Sequence, residues 1–266
     1  MAHDPYYELR PDPIEPPFDA GKTALLTIDL QYLDAHADGW MGRLAKDQGR
    51  PEALQERWDN IAEILPNVRR LQDACRAAGM EVMHIRVAYR TQDHRDGQRS
   101  LATRSMATGA DERDREFLPE VAPLDNEIVI NKTSAGAFNS ISIDQILRNM
   151  GIDRLWVTGI VTEGCVELTS RDAADRGFMV TLVSDGCTAS NNVAHEDALQ
   201  RMSEGSLIKV RSVNELVDQL VVRRNKATVR ISKEILYESS HIMNTSIGSR
   251  YGEIKQPFLH YTGDTL

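Results

Sequence analysis

A chain of 266 residues, 41% hydrophobic and 27% charged, carries enough apolar material for a core that needs no disulfide or metal staple. Its formal net charge of −9 argues against a nucleic-acid or anionic-membrane surface and for a small-molecule or protein partner. Three cysteines, Cys75, Cys165 and Cys187, form no CxxC pair and no zinc-finger spacing, which fits free thiols in a reducing, cytoplasmic setting.

Residues 1–21 are polar and Pro-rich, unlike a signal peptide, and read as an extended arm. "TALLTID" (23–29) is a buried-strand signal that ends in an acid. A polar segment over 30–53 contains Trp40, either a lid residue or an ordinary packed indole. Residues 53–79 carry apolar side chains at three- and four-residue steps and read as a helix, with Pro66 expected to kink or divide it and Gly79 to cap it. A second strand covers 81–89. Residues 90–126 are polar and irregular, the composition of an active-site loop. Strands follow at 127–132, 154–160, 178–186 and 206–210, with helices at 140–151, 165–177, 193–205 and 212–221. No apolar run approaches the ~18–20 residues that span a bilayer.

Strands that alternate with helices and read as continuous apolar runs predict an α/β fold: a doubly wound, six-stranded, mostly parallel sheet with helices on both faces. We assign residues 1–221 to one domain. Residues 222–266 are polar and dotted with aromatics, and are expected to be an extension packing on the body or on a neighbouring subunit.

In such sheets functional groups gather at the carboxyl ends of strands. Asp29, Lys132 and Cys165 each stand at or just past one. Their chemistry is coherent. A thiol becomes a strong nucleophile as a thiolate, and Cys165 is expected to open a helix whose positive end favours that form. Asp29 would accept the thiol proton and return it to a leaving amine, while Lys132 would hold Asp29 ionised. Cys75 and Cys187 read as buried filler.

Three segments, "LLTIDLQ" (25–31), "INKTSAGAFNS" (130–140) and "VTGIVTEGCVELTSRDAADRGFMVTLVSDGCTA" (157–189), resemble the signature segments of the isochorismatase-like hydrolases, also called cysteine hydrolases. The resemblance spans roughly residues 20–221. It implies an Asp29-Lys132-Cys165 triad and a non-proline cis peptide at Ile160–Val161. The backbone N–H groups of Val161 and Cys165 would then form an oxyanion hole. Thr162 would brace that turn or simply begin the helix. No cofactor is implied, and a homodimer or homotetramer is.

Cysteine-bearing relatives mostly hydrolyse C–N bonds, so the resemblance implies an amidohydrolase acting on a small carboxamide, carbamoyl or ureido substrate through a thioester. The alternatives are an isochorismatase-type enol ether hydrolase and a catalytically silent binding or assembly member. The nicotinamidase branch carries an Asp-x-His…His metal cluster; His84, Asp93 and His94 do not match its spacing, and no metal is expected. Candidate substrate contacts are Gln31, Arg86, Tyr89, Arg90, Phe138 and Asn139. Gln31 is equally readable as a structural polar residue, and one or two of Arg86, Tyr89 and Arg90 as props for the loop.

Overall fold

The computed structural model describes Leu9 and residues 16–99, 112–204 and 207–223. Six strands form one sheet: β1 Thr23–Ile28, β2 Glu81–Val87, β3 Ile128–Lys132, β4 Arg154–Ile160, β5 Met179–Thr188 and β6 Ile208–Arg211. They are hydrogen-bonded in the order β3-β2-β1-β4-β5-β6. Every pairing is parallel, where a mostly parallel sheet was expected. The helices are α1 Tyr32–Ala35, α2 Trp40–Asp47, α3 Gln55–Ala77, α4 Ile143–Asn149, α5 Glu167–Asp175, α6 Asn192–Ser203 and α7 over 213–223.

Strand alternation distributes the core. Leu26, Ile28, Ile85, Ile130 and Val157 face a cluster that includes Ile143 and Leu147 of α4, Ala173 of α5 and Ala198 and Met202 of α6. Leu25, Val82 and Trp156 face the other way, onto Leu71 and Cys75 of α3 and Val213, Leu216 and Leu220 of α7. Both faces are therefore covered, which is why the strands are continuous apolar runs rather than alternating ones. Phe18 of the N-terminal arm stacks on Trp156, with ring centroids 5.5 Å apart.

Pro66 does not divide α3, which runs unbroken through it. Proline deletes the bond to the carbonyl four residues back and crowds that carbonyl. The buried stripe Ile61, Ile64, Leu65, Val68, Leu71 and Cys75 continues across it and holds both halves to the body. The chain divides into Met1–Leu220 and Val221–Leu266. Of the latter only 221–223 are described, as helix, so the expected packing of the extension lies outside the described residues. The same holds for residues 100–111 of the expected active-site loop. Among the described residues no helix is long and apolar enough to cross a membrane.

The pinch between β1 and β4 depends on Gly159. It pairs with Ile28, has φ 115°, and a Cβ there would lie 2.0 Å from the Ile28 carbonyl oxygen. Only glycine adopts that backbone and allows the approach. Gly159→Ala is expected to destabilise the protein by roughly 3 kcal/mol or more, from a backbone clash added to a positive φ. A denaturant midpoint within error of the parent's would contradict this.

On β2, next to the edge strand β3, His84 is fully buried and its Nε2 lies 2.9 Å from Glu127 Oε2, while Arg76 clamps the same carboxylate at 2.7 Å. Although burial acts against it, the Arg76 and His84 contacts hold the Glu127 carboxyl down at about 2. Burial lowers His84 as well. Both groups bind fewer protons folded than unfolded, so both contribute stability that is lost as pH falls. For Glu127 the window runs from the unfolded value of 4.5 down to about 2. Glu127→Gln is expected to remove about 1 kcal/mol of that acid sensitivity after solvent screening. Denaturant unfolding at pH 7 and pH 3 measures it.

Candidate active site

β1 and β4 are the central pair of the sheet, and the winding direction reverses between them, which opens a crevice beyond their carboxyl ends. Asp29 follows β1 directly. Its N–H donates to the Ile85 carbonyl at 2.8 Å and its carbonyl accepts from Gln31 N–H at 2.8 Å, so the chain turns sharply. Asp29 has φ 55°, a left-handed conformation that aspartate tolerates better than most residues.

Lys132 ends β3, with β2 lying between it and β1. Its side chain is completely buried and crosses the end of β2 to place Nζ 2.8 Å from Asp29 Oδ2. The ammonium also donates to the Ser134 carbonyl at 3.0 Å and lies 3.5 Å from Cys165 Sγ. An ammonium has three donors, and all three are engaged. Asp29 Oδ1 is buried and makes no hydrogen bond to any described group. The Cys165 thiol is within interaction range of that carboxylate.

After β4 the Ile160–Val161 peptide is cis, and the turn that follows kinks at Gly164, whose backbone is non-helical (φ −125°, ψ −105°), before the helical run that continues into α5. Cys165 directly follows that kink, at the start of the helical run, where it was expected to open a helix. Burial pushes its thiol well up, the Asp29 charge adds to this and Lys132 opposes it. Burial raises the Asp29 carboxyl too, against the pull of Lys132, which makes it a better base than an exposed aspartate. Burial favours neutral Lys132, but the facing acids outweigh it and hold the ammonium above its ordinary value.

The thiol turn is braced from both sides. Thr169 Oγ1 of α5 donates to the Cys165 carbonyl at 2.6 Å and accepts from Ala137 N–H at 3.1 Å, joining it to the loop after Lys132. Thr162 Oγ1 lies 2.8 Å from His195 Nδ1 of α6, so it does brace the turn. Glu163 Oε1 accepts from the Ser190 N–H and hydroxyl. Thr169, Ser134, His195 and Glu163 carried no sequence signal, because their partners are set by tertiary packing.

Several expected substrate contacts point elsewhere. The Gln31 side chain is fully buried and saturated: Nε2 donates to the Val87 and Asp114 carbonyls at 3.0 and 2.9 Å, and Oε1 accepts from Val87 N–H at 2.6 Å. It ties the ends of β1 and β2 together rather than facing a ligand. Arg86 lies on the sheet face opposite Lys132, since its neighbour Val87 pairs with Lys132. It grips Asn131 Oδ1 at 2.8 Å and the Arg115 carbonyl at 2.7 Å. Phe138 packs into the core against Phe178, with centroids 5.9 Å apart, instead of lining the crevice. Trp40 is packed at the start of α2, its backbone N–H donating to Asp114 Oδ1 at 2.9 Å.

Tyr89 is buried, close enough to feel the Lys132 charge, and stacks on His94 at 4.6 Å. Arg90 and Asn139 are exposed. His84, Asp93 and His94 are engaged separately, with Glu127, Arg95 and Tyr89 respectively. Cys75 and Cys187 are buried, and burial pushes both thiols up. Cys165 is the partly exposed thiol of the three.

One acid went unremarked in the sequence. Asp34 of α1 is paired with Arg57 of α3, Nη2 to Oδ2 at 3.1 Å, and its charge acts on Asp29, Lys132 and Cys165.

A parallel sheet in the order 3-2-1-4-5-6 with helices on both faces is a doubly wound α/β architecture, and solved cysteine hydrolase and isochorismatase-like structures share this fold. The chain belongs to the isochorismatase family, whose Isochorismatase domain matches residues 23–215. N-carbamoylsarcosine amidase of Arthrobacter sp is 35% identical over 125 residues, 43% of this chain and 46% of that enzyme. Ureidoacrylate amidohydrolase RutB of Yersinia enterocolitica is 30% identical, covering 61% of this chain and 73% of RutB. Among solved structures, a cysteine hydrolase from Pseudomonas syringae pv. phaseolicola 1448A superposes with a TM-score of 0.67 at 21% identity, covering 80% of this chain and 99% of that one. N-carbamoylsarcosine amidase from Thermoplasma acidophilum gives a TM-score of 0.55 at 22% identity, over 72% and 96% of the two chains.

Proposed function

We propose that this protein is a cofactor-independent amidohydrolase that cleaves a C–N bond of a small carboxamide, carbamoyl or ureido compound through a Cys165 thioester. The observation that carries the reading is the buried cluster in which Lys132 Nζ stands 2.8 Å from Asp29 and 3.5 Å from Cys165 Sγ. Named relatives that hydrolyse carbamoyl and ureido compounds support the bond class.

In the proposed reaction Asp29 takes the thiol proton as Cys165 Sγ attacks the carbonyl carbon. The ammonium of Lys132 stabilises the forming thiolate. The N–H groups of Val161 and Cys165 receive the tetrahedral oxyanion. Asp29 then hands its proton to the departing nitrogen, the C–N bond breaks, and ammonia or an amine leaves a thioester. Water attacks that thioester, Asp29 accepts the water proton and returns it to sulfur, and the acid product is released. Burial raises the Asp29 carboxyl, which makes it a better base for the thiol proton.

A screen for released ammonia or amine over carbamoyl, ureido and aromatic carboxamide substrates tests this reading. Release of pyruvate from an enol ether with no C–N cleavage would replace it.

A further inference from the structure

The proposed reaction leaves His195 without a role. Its ring stands near the start of α6, half-buried, with Nδ1 2.8 Å from Thr162 Oγ1. Thr162 is completely buried, and this is the one hydrogen bond its hydroxyl makes among the described residues. A threonine commonly turns its hydroxyl to a backbone group close by in its own chain segment. Here it reaches across to another helix. The turn between β4 and α5 folds back on Val161, whose carbonyl accepts from Gly164 N–H at 2.9 Å and from Val166 N–H at 3.3 Å. Val161 and Cys165 thus share one small loop. On the other side of Val161, Ile160 is fixed by its pairing with Thr188 of β5. Val161 therefore hangs between two anchors, the sheet and the Thr162–His195 bond. The second anchor is firm. Asn191 caps α6 by accepting from Ala194 N–H at 2.9 Å. Helix α3 holds the first residue of α6: Glu56 Oε1 accepts from Asn192 N–H at 3.1 Å, and Asn60 Nδ2 donates to Asn192 Oδ1 at 2.9 Å.

We propose that His195 is a positioning residue: through Thr162 it holds the Val161 N–H where the oxyanion forms beside Cys165. The proposal rests on the oxyanion hole of the proposed reaction and adds the residue that keeps one of its donors in place. A neutral imidazole nitrogen can accept from a hydroxyl or donate to it, so the bond holds in either tautomer. A donor stabilises the tetrahedral state only from hydrogen-bond distance, so a small drift of Val161 costs rate. Losing the ring does not free the whole turn. Glu163 Oε1 still accepts from Ser190 N–H at 3.1 Å, and Thr169 Oγ1 still donates to the Cys165 carbonyl. The donor is loosened while the thiol stays where it was.

Two reactions of the Cys165 thiol separate these effects. p-Nitrophenyl acetate acylates it: the S–C bond forms through a tetrahedral oxyanion, the C–O bond breaks and p-nitrophenolate leaves. Iodoacetamide alkylates it at a saturated carbon and expels iodide, with no oxyanion at any stage. The thiol proton goes to Asp29 in both. The readout is the ratio of the two rate constants, acylation over alkylation, each corrected for the Cys165→Ala background. Folded fraction and thiol reactivity cancel in that ratio. His195→Ala is expected to lower it by about tenfold or more. Thr162→Val should give a similar loss, and the double variant no further one, because both act on one bond. His195→Asn, whose carboxamide offers an acceptor and a donor at similar reach, should return the ratio to within about threefold of the parent's. A ratio in His195→Ala within about twofold of the parent's overturns the proposal. So does a parent whose Cys165 the ester does not acylate, and fully additive losses overturn the route through Thr162. Acylation of Cys165 with no ammonia or amine released from any amide upholds the proposal and removes the amidohydrolase reading instead.

Discussion

Cys165→Ala is expected to abolish turnover, with kcat falling by about a thousandfold or more, the scale seen when a covalent nucleophile is removed. The substitution deletes one partly exposed sulfur and no backbone contact. Thr169 still holds the carbonyl of residue 165, and Glu163 still holds Ser190. Folding stability should therefore stay within about 1 kcal/mol of the parent, so that lost activity is lost chemistry. Cys75→Ala and Cys187→Ala provide the contrast. Both thiols are buried in the apolar clusters on either face of the sheet, so their loss opens small cavities and costs stability while leaving turnover in place. Parallel thermal melts and ammonia assays on the three variants separate these outcomes. Full activity in Cys165→Ala would remove the thioester from the mechanism.

The second large effect concerns the Asp29–Lys132 pair. Lys132→Met leaves the Asp29 carboxylate buried with one oxygen already unpartnered, and is expected to cost about 3–5 kcal/mol of stability. Asp29→Asn removes the base and is expected to lower kcat by roughly 10²–10⁴-fold. Neutralising both partners restores electrical balance, so Asp29→Asn/Lys132→Met should be more stable than Lys132→Met alone, although inactive. The pH profile carries an independent sign. Burial raises the Asp29 carboxyl, and the reaction needs its ionised form, so kcat/KM falls on the acid side through a pKa above the ordinary 3.8. That limb should vanish from the residual activity of Asp29→Asn. Denaturant midpoints and pH profiles of the three variants check each part.

The fold was legible because the strands are buried on both faces. Runs such as "ALLTI" and "LWVTGI" name β1 and β4 without help from context, and the charged or thiol residues that end such runs stand out. What the sequence withheld is direction. Arg86 and Lys132 both end strands, yet pleat and register send them to opposite faces. Gln31 and Phe138 have the chemistry of pocket residues, but the ends of β1 and β2 need the first and the core takes the second. The kink at Gly164 has no periodicity to betray it, and the turn around it is gripped by α6 and the loop after Lys132. The Asp34–Arg57 pair joins residues 23 positions apart and exists only once α1 and α3 pack.

The most direct test of the thioester is to mix the enzyme with a substrate it turns over, quench in acid within one turnover, and weigh the tryptic peptides with and without hydroxylamine present. The peptide spanning 155–171 contains Cys165 and no other cysteine. It should gain the mass of the substrate's acyl group, the peptides holding Cys75 and Cys187 should not, and hydroxylamine should divert the product to a hydroxamate. Ammonia released at the full rate with all three thiols unmodified and no hydroxamate formed would contradict the account.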